Sequence, residues 1–401
     1  LNFFDDLKLR VSAGQTGGQG VSAYATRSRF VVSNYGMGGS LQSGMAESRW
    51  GGPAAALLKW ETTNQFDIGL DIAFLNNRVN LTVDAYYKKT KDLLLDKLIP
   101  MSSGFSRIQA NYGNVTNKGL EISGHFIPVK ARNFLWSIDA NISFNRNKVG
   151  GLDADQYSDV AWGIENMFLV RNGEPIGTLY GYVEDGFYDN EAEVRADPLY
   201  RNETDSKVKS MVGEVKYKNL DDDPVIDNRD RQIIGNTNPD YQYGITNTLE
   251  WKNWTFSFFL QGTQGNDVLN VNLKKFDMAS VDNMPYFIYN NRWTAENRAN
   301  AKWPRANRTS TRSMRASDRY IEDGSYLRCK NVSLSYRFRH PMKFVESINL
   351  VASVSNLFTI SGYSWMDPDV NSFGSDPKRR GVDMASYPSA RTFNFGVQIG
   401  F

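Results

Sequence analysis

The sequence is poor in the residues on which most enzymes and metal centres rely. Cys329 is the only cysteine, so no intrachain disulfide or cysteine metal cluster can form, and cysteine usage is silent about redox compartment. His125 and His340 are the only histidines, which nearly excludes a histidine base and a histidine-rich metal site. Charge is balanced, 46 Lys and Arg against 44 Asp and Glu for a net +2, so no nucleic-acid footprint is expected. No run of 18 apolar residues occurs and mean hydropathy is −0.48. That excludes transmembrane helices but not membrane strands, half of whose residues face a polar lumen. The chain opens Leu1-Asn2-Phe3-Phe4, with neither an initiator Met nor a signal peptide, and is expected to be a piece of something longer.

Aromatics and glycine are plentiful, with 20 Tyr, 23 Phe, 9 Trp and 33 Gly. Aromatics favour strands and glycine favours turns and bulges, so the composition suits an all-β protein. The last 11 residues, Arg391 to Phe401, place Phe393, Phe395, Val397, Ile399 and Phe401 at every second position, with Thr392, Asn394, Gly396, Gln398 and Gly400 between them. One face of such a strand is apolar and the other small and polar. A membrane strand needs roughly 9–11 residues, and an edge strand of a soluble sandwich alternates in the same way. Alternation recurs in Leu7–Ala13, Phe66–Phe74, Val79–Ala85, Leu120–Phe126, Phe134–Asn145, Tyr241–Trp251, Trp254–Leu260, Val332–Phe338 and Ile348–Phe358. With the last stretch that makes ten expected strands.

The connections decide between the two architectures. Short turns are expected near 76–77, 129–133, 252–253 and 340–346, and long connections near 15–56, 98–113, 149–237, 268–319 and 361–388. The two kinds strictly alternate. Soluble domains rarely carry several loops longer than about 12–15 residues, whereas outer-membrane barrels pair short periplasmic turns with long extracellular loops as a rule. Phe74, Phe134, Trp136, Trp251, Trp254, Phe338, Phe344 and Phe401 gather beside the short turns, as an interfacial aromatic girdle requires. The expected fold is therefore a transmembrane antiparallel β-barrel, all-β. Because the connections are large and the amino terminus is missing, these ten strands are expected to be the carboxy-terminal part of a bigger barrel.

Several segments together resemble SusC/RagA-type TonB-dependent outer-membrane transporters: Leu7-Lys-Leu-Arg-Val-Ser-Ala-Gly-Gln-Thr-Gly17, Leu58-Lys-Trp-Glu-Thr-Thr-Asn-Gln-Phe-Asp-Ile-Gly-Leu-Asp71, Gly113-Asn-Val-Thr-Asn-Lys-Gly-Leu-Glu121, Gly173-Glu-Pro-Ile-Gly-Thr-Leu-Tyr-Gly-Tyr182, Ile234-Gly-Asn-Thr-Asn-Pro-Asp-Tyr-Gln-Tyr-Gly244 and Tyr387-Pro-Ser-Ala-Arg-Thr-Phe393. Tyr87-Lys-Lys-Thr-Lys-Asp-Leu-Leu94 and Asn356-Leu-Phe-Thr359 with Asp367-Pro368 add to it. The resemblance implies a plugged barrel of about 22 strands, of which residues 1–401 would supply the last ten or so, the plug and amino-terminal domains lying outside this chain. It implies a Gram-negative outer membrane, TonB-energised import of large glycans or oligopeptides, a SusD-like surface lipoprotein as lid, and a dimer of transporter–lipoprotein pairs. It also implies an assembly-signal role for the terminal Phe401. The alternative is a passive porin or adhesin of the same architecture. A barrel enzyme is disfavoured, since it needs an organised nucleophile and base.

Two sets of candidate site residues follow. Asn219-Leu-Asp-Asp-Asp-Pro-Val-Ile-Asp-Asn-Arg-Asp230 resembles a calcium loop, with oxygens from Asn219, Asp221, Asp223, the Val225 backbone, Asp227 and Asp230. Calcium needs about 6–8 oxygens around one centre. Pro224 stands where such loops want Gly, and Asp230 is shorter than the usual bidentate Glu, so the alternative is an acidic surface loop. In the long connections, Trp162, Trp293, Tyr363 and Trp365 are candidate substrate or partner contacts, as are Tyr180, Tyr182 and Trp303. The alternative for each is a residue that pins its loop. Arg379-Arg380 suits an anionic ligand or simple solvation, and His125 suits a hydrated lumen position.

Overall fold

The alternating apolar residues form one face of a single antiparallel sheet. The computed structural model describes residues 3–401 apart from 19, 21–25, 28–29, 48–54, 56, 106, 161–163, 222, 277–282, 308–311 and 343. Ten strands pair in chain order: β1 (Phe4–Gly18), β2 (Glu61–Phe74), β3 (Val79–Lys91), β4 (Asn114–Ala131), β5 (Phe134–Gly150), β6 (Tyr241–Trp251), β7 (Trp254–Gln264), β8 (Tyr326–Met342), β9 (Val345–Ser361) and β10 (Thr392–Gly400). Each expected strand is present. Register keeps like with like across the sheet: Val11 lies opposite Ile68, Ile68 opposite Ala85, Ala85 opposite Leu120 and Leu120 opposite Phe144. The outer face is therefore one continuous apolar band, and much of it is exposed, as at Leu9 (65%) and Phe395 (84%). The strands β1 and β10 are the two edges, each paired on one side only among the described residues.

Most strands run beyond the apolar alternation, and two turns are tighter than expected. Asn76 and Asn77 adopt φ of 56° and 57°, and Lys252 one of 53°, the left-handed geometry that tight hairpins require. The turn expected over 129–133 shrinks, because β4 continues to Ala131 through a register shift between Phe126 and Val129. That shift accommodates Pro128, which has no N–H to give to a ladder. Similarly β8 passes through His340 (φ 47°) and a second shift to reach Met342.

The buried core lies in the long connections. Strands Gln156–Val160, Ile164–Val170, Thr178–Gly181 and Gln232–Asn236 make a four-stranded sheet, and Asp267–Asn270, Ile321–Asp323 and Val382–Asp383 a three-stranded one. Between them Ile164, Phe168, Leu179, Leu269, Ile288, Tyr320 and Val382 form a core. A smaller core of Tyr188, Val194, Val208 and Met211 sits around the short helices Glu191–Ala196 and Asp205–Met211. Asn190 and Thr204 cap those helices through their side chains, as their residue types favour. The long loops are thus a folded cap at one end of the sheet.

Candidate functional site

The inner face of the sheet is polar and internally paired. Arg10 on β1 reaches Asp71 on β2 at 2.8 Å and Asp84 on β3 at 2.9 Å, and Thr82 Oγ1 donates to Asp71 at 3.0 Å. Gly69 lies beneath this fork, where a Cβ would come within 2.2 Å of the Asp84 carboxylate. His125, on the same face, lies 2.7 Å from Asp139. Higher on the inner wall, Ser143, Asn145, Gln242 and Arg380 line a small polar cavity of about 110 Å³. This surface presents hydrogen-bond donors and acceptors to the space it faces, and it brings Arg380 of the Arg379-Arg380 pair to the wall.

The cap is fastened to the sheet by charge and stacked rings. Arg328 on β8 is 1% exposed and pairs with Asp367 (5%). It also donates to Thr359 Oγ1 at 3.0 Å and to Ser389 Oγ at 3.2 Å. Asp367 in turn accepts the backbone N–H groups of Asp369 (3.0 Å) and Ser389 (2.9 Å). Tyrosines and arginines alternate elsewhere in the cap. Arg231 lies 4.8 Å from the Tyr180 ring and 5.6 Å from Tyr182, while Arg315 lies 5.3 Å from Tyr182 and 5.8 Å from Tyr217. Burial pushes the Tyr182 and Tyr217 phenols up, so the rings stay neutral faces for the guanidinium groups. Tyr180 and Tyr182 are each 9% exposed and form part of this wall.

The other aromatic candidates hold three different places. Trp162 lies outside the described residues. Trp293 donates its indole N–H to Asp189 at 3.1 Å. Tyr363 is 8% exposed and its hydroxyl donates to Asp383 at 2.8 Å. Trp365 stacks on Phe276 at 5.9 Å and stays half-buried. Trp303 is buried in the core, with Arg319 at 5.3 Å. The structure therefore gives Trp293, Trp303 and Tyr363 anchoring contacts and does not gather the set into one pocket. It exposes other rings: Tyr286 (78%), Phe287 (45%) and Tyr289 (50%) on the short helix Tyr286–Asn290, and Tyr387 (92%). The dense run Tyr286-Phe-Ile-Tyr289 after Pro285 is the signal that sequence reasoning passed over.

The acidic loop already contains a cation. The Arg229 guanidinium lies 3.1 Å from Asp221 and 3.0 Å from Asp227, and pairs with Asp223. Hydrogen bonding to Arg229 holds the Asp227 carboxyl below the usual range. Buried Asp230 accepts the N–H groups of Leu220 and Asp227, both at 2.8 Å, closing a capping box on the 3₁₀ turn Asn228–Asp230. Asn219 donates to the Asp223 carbonyl, while its Oδ1 is buried with no hydrogen-bond partner. The three carboxylates thus share one guanidinium, Asp221 at Nη1 and Asp223 and Asp227 at Nη2. Among the described residues no three His, Cys, Asp or Glu side chains stand as a metal-holding group.

Comparison with known proteins agrees with this architecture. A family model described as "TonB dependent receptor-like, beta-barrel" matches residues 1–357. TonB-dependent receptor P26 of Formosa agariphila is 34% identical over 99% of this chain and 40% of its own length. TonB-dependent receptor SusC of Bacteroides thetaiotaomicron is 29% identical over 100% of this chain and 38% of its own length. Among solved structures, the RagAB peptide transporter superposes with a TM-score of 0.77 at 20% identity, covering 100% of this chain and 41% of that one, which speaks to fold. The chain spans about two fifths of the length of these relatives.

Proposed function

The chain belongs to the TonB-dependent receptor-like β-barrel family, and on that premise we propose that it is part of a SusC/RagA-type importer of large nutrients in the outer membrane of a Gram-negative bacterium. The observation that carries this is the sheet itself: an apolar outer band, a polar inner wall and two unpartnered edges. Such a sheet is stable in lipid only when its edges are paired, and in this reading further strands of a larger barrel pair them. The rest of the barrel, a plug and the TonB-contacting segment are then supplied by residues outside 1–401. The RagAB peptide importer shares this fold, which favours oligopeptides as one cargo class; glycans as the other, a SusD-like lipoprotein seated on the cap and a dimer of such pairs complete the proposal on the SusC/RagA resemblance. The polar inner wall supports transport rather than chemistry, and we assign no enzymatic role.

Partner or cargo contact is assigned to the exposed rings of Tyr286, Phe287 and Tyr289 together with Trp365, with Trp293 and Tyr363 holding the loops that present them. Calcium, if bound by Asn219 to Asp230, enters in exchange for Arg229, whose withdrawal frees Asp221, Asp223 and Asp227. The decisive experiment is growth and uptake by a gene-deletion strain on a panel of glycans and oligopeptides, repeated with TonB removed. Loss of growth on one polymer class, reproduced by TonB removal, is expected. Uptake that persists without TonB would make the barrel a passive porin.

A further inference from the structure

The outward face of the sheet carries a basic notch where the apolar band ends. On β5 the outward residues from Phe134 to Phe144 are apolar. Ten residue steps at about 3.4 Å and about 45° tilt raise that row by roughly 24 Å, close to the height of a barrel's lipid-facing band. The next two outward positions are Arg146 and Lys148. The neighbouring strands change character at the same level. Tyr87 lies opposite Lys118 and Lys118 opposite Arg146, while Lys89 lies opposite Thr116 and Thr116 opposite Lys148. Flanking strands place no cation there: β1 and β2 offer Gln15 and Asn64, and β6 and β7 offer Tyr241 and Gln264. The basic residues are thus confined to three adjacent strands, at the end that carries the long connections.

Like charges directly opposite one another across a ladder destabilise it, yet Lys118 and Arg146 stand in that relation. Arg146 is compensated by Asp240 at 2.6 Å. Lys89, Lys118 and Lys148 have no carboxylate within ion-pair distance among the described residues. Lys118 rests instead over the Tyr87 ring at 5.9 Å. Tyr87, Lys118, Arg146 and Lys148, with Asn114 and Thr116, line an open cavity of about 450 Å³, and Lys89 lies one ladder step away, opposite Thr116. An uncompensated cluster of cations around a cavity, immediately above an apolar surface, is complementary to an anionic headgroup whose acyl chains lie along that surface.

We propose that the notch formed by Lys118, Arg146 and Lys148, with Lys89 beside it on the ladder, binds the phosphate-bearing headgroup of a glycolipid in the outer leaflet, with Tyr87 at the headgroup–chain boundary. This rests on the reading of the chain as an outer-membrane barrel whose long connections face outward.

The test uses the full-length transporter that contains this chain, in detergent, with native mass spectrometry against monophosphoryl lipid A and its dephosphorylated counterpart. The wild type is expected to retain the phosphorylated lipid at least tenfold more tightly than the dephosphorylated one. The variant K89Q/K118Q/K148Q leaves the Arg146–Asp240 pair intact and should lose most of that preference, at about fivefold per lysine. Millimolar inorganic phosphate should not displace the lipid; if it does, the notch is a free-anion site and the proposal fails. Equal binding of both lipids by the wild type overturns the proposal without reference to any variant. So does a variant that keeps the preference, or one that instead loses a co-purifying lipoprotein. Outer-membrane fractionation and heat-modifiable migration of the wild type are read separately. Failure there removes the barrel reading, whereas success there with no lipid preference removes only the notch.

Discussion

Arg229 decides what the acidic loop can hold. Its guanidinium pairs with Asp221, Asp223 and Asp227, so a divalent ion drawing on these carboxylates must compete with a tethered cation that is never dilute. Removing the tethered competitor should therefore strengthen calcium binding. In the full-length protein, Arg229→Ala is expected to bind calcium at least tenfold more tightly than the wild type by calorimetric titration. If neither protein gives heat at millimolar calcium, the calcium assignment is discarded. The pair also has a predictable acid limit. The Asp227 carboxyl is depressed from 3.8 by its hydrogen bonds to Arg229, so its stabilising contribution is complete above 3.8 and fades as pH falls through the lower folded value. Protease resistance of this loop should hold in mildly acidic buffer and fail only below that limit; a loss beginning near neutral pH would contradict the pairing. Arg328 and Asp367 pose a sterner case, because both are nearly inaccessible. Asp367→Ala removes the near partner of a buried guanidinium and leaves it only the more exposed Asp369 at 3.4 Å, a loss approaching the about 3–5 kcal/mol of a broken buried pair. The cap segment 362–388 should become sensitive to limited proteolysis while the sheet stays folded, and unchanged resistance would show the pair to be dispensable.

Among the elements, the last strand is the most exposed to test. β10 pairs with β9 from Ser355–Thr392 to Ser347–Gly400, and Phe401 lies just past its end, 86% exposed. At the short-turn end of the sheet such an aromatic suits the membrane interface. Phe401→Asp in the full-length protein should lower its outer-membrane level severalfold by quantitative immunoblot, with substrate preference unchanged in the molecules that assemble; normal levels would remove the assembly role. The strands are the part of this fold most legible in sequence. A residue such as Ile142 must face lipid and its neighbour Ser143 must not, so period-two alternation is imposed by the environment. No such rule governs the cap. Thr178–Gly181 is buried on both faces, and Val382–Asp383 pairs in parallel with Leu269–Asn270 from far along the chain. Neither segment is periodic, and both are made strands by tertiary packing. The same reason hid the functional side chains. Tyr363 and Trp293 look alike in sequence to Tyr286 and Phe287, and only packing assigns the first two to hydrogen-bonded anchors and leaves the last two in solvent.

At the scale of the whole molecule, the unpartnered edges set the terms of folding. β1 has 15 residues and β10 has 9, and roughly half of the backbone N–H and C=O groups on each point away from their one neighbour. In hydrocarbon each unsatisfied group costs several kcal/mol, so the two edges together would cost on the order of tens of kcal/mol. A domain's whole stability is about 5–15 kcal/mol, and the apolar outer face cannot make up the difference, because lipid competes for it equally. In water the opposite failure applies, since the outer band would be left exposed and the edges would recruit other chains. Residues 1–401 expressed alone are therefore expected to form no heat-modifiable barrel in detergent or lipid and to aggregate on refolding. The same residues within the full-length protein should migrate as a folded, heat-modifiable species. A discrete heat-modifiable species from residues 1–401 alone would show that β1 and β10 close on each other, and the chain would then be a small complete barrel in place of part of a large one.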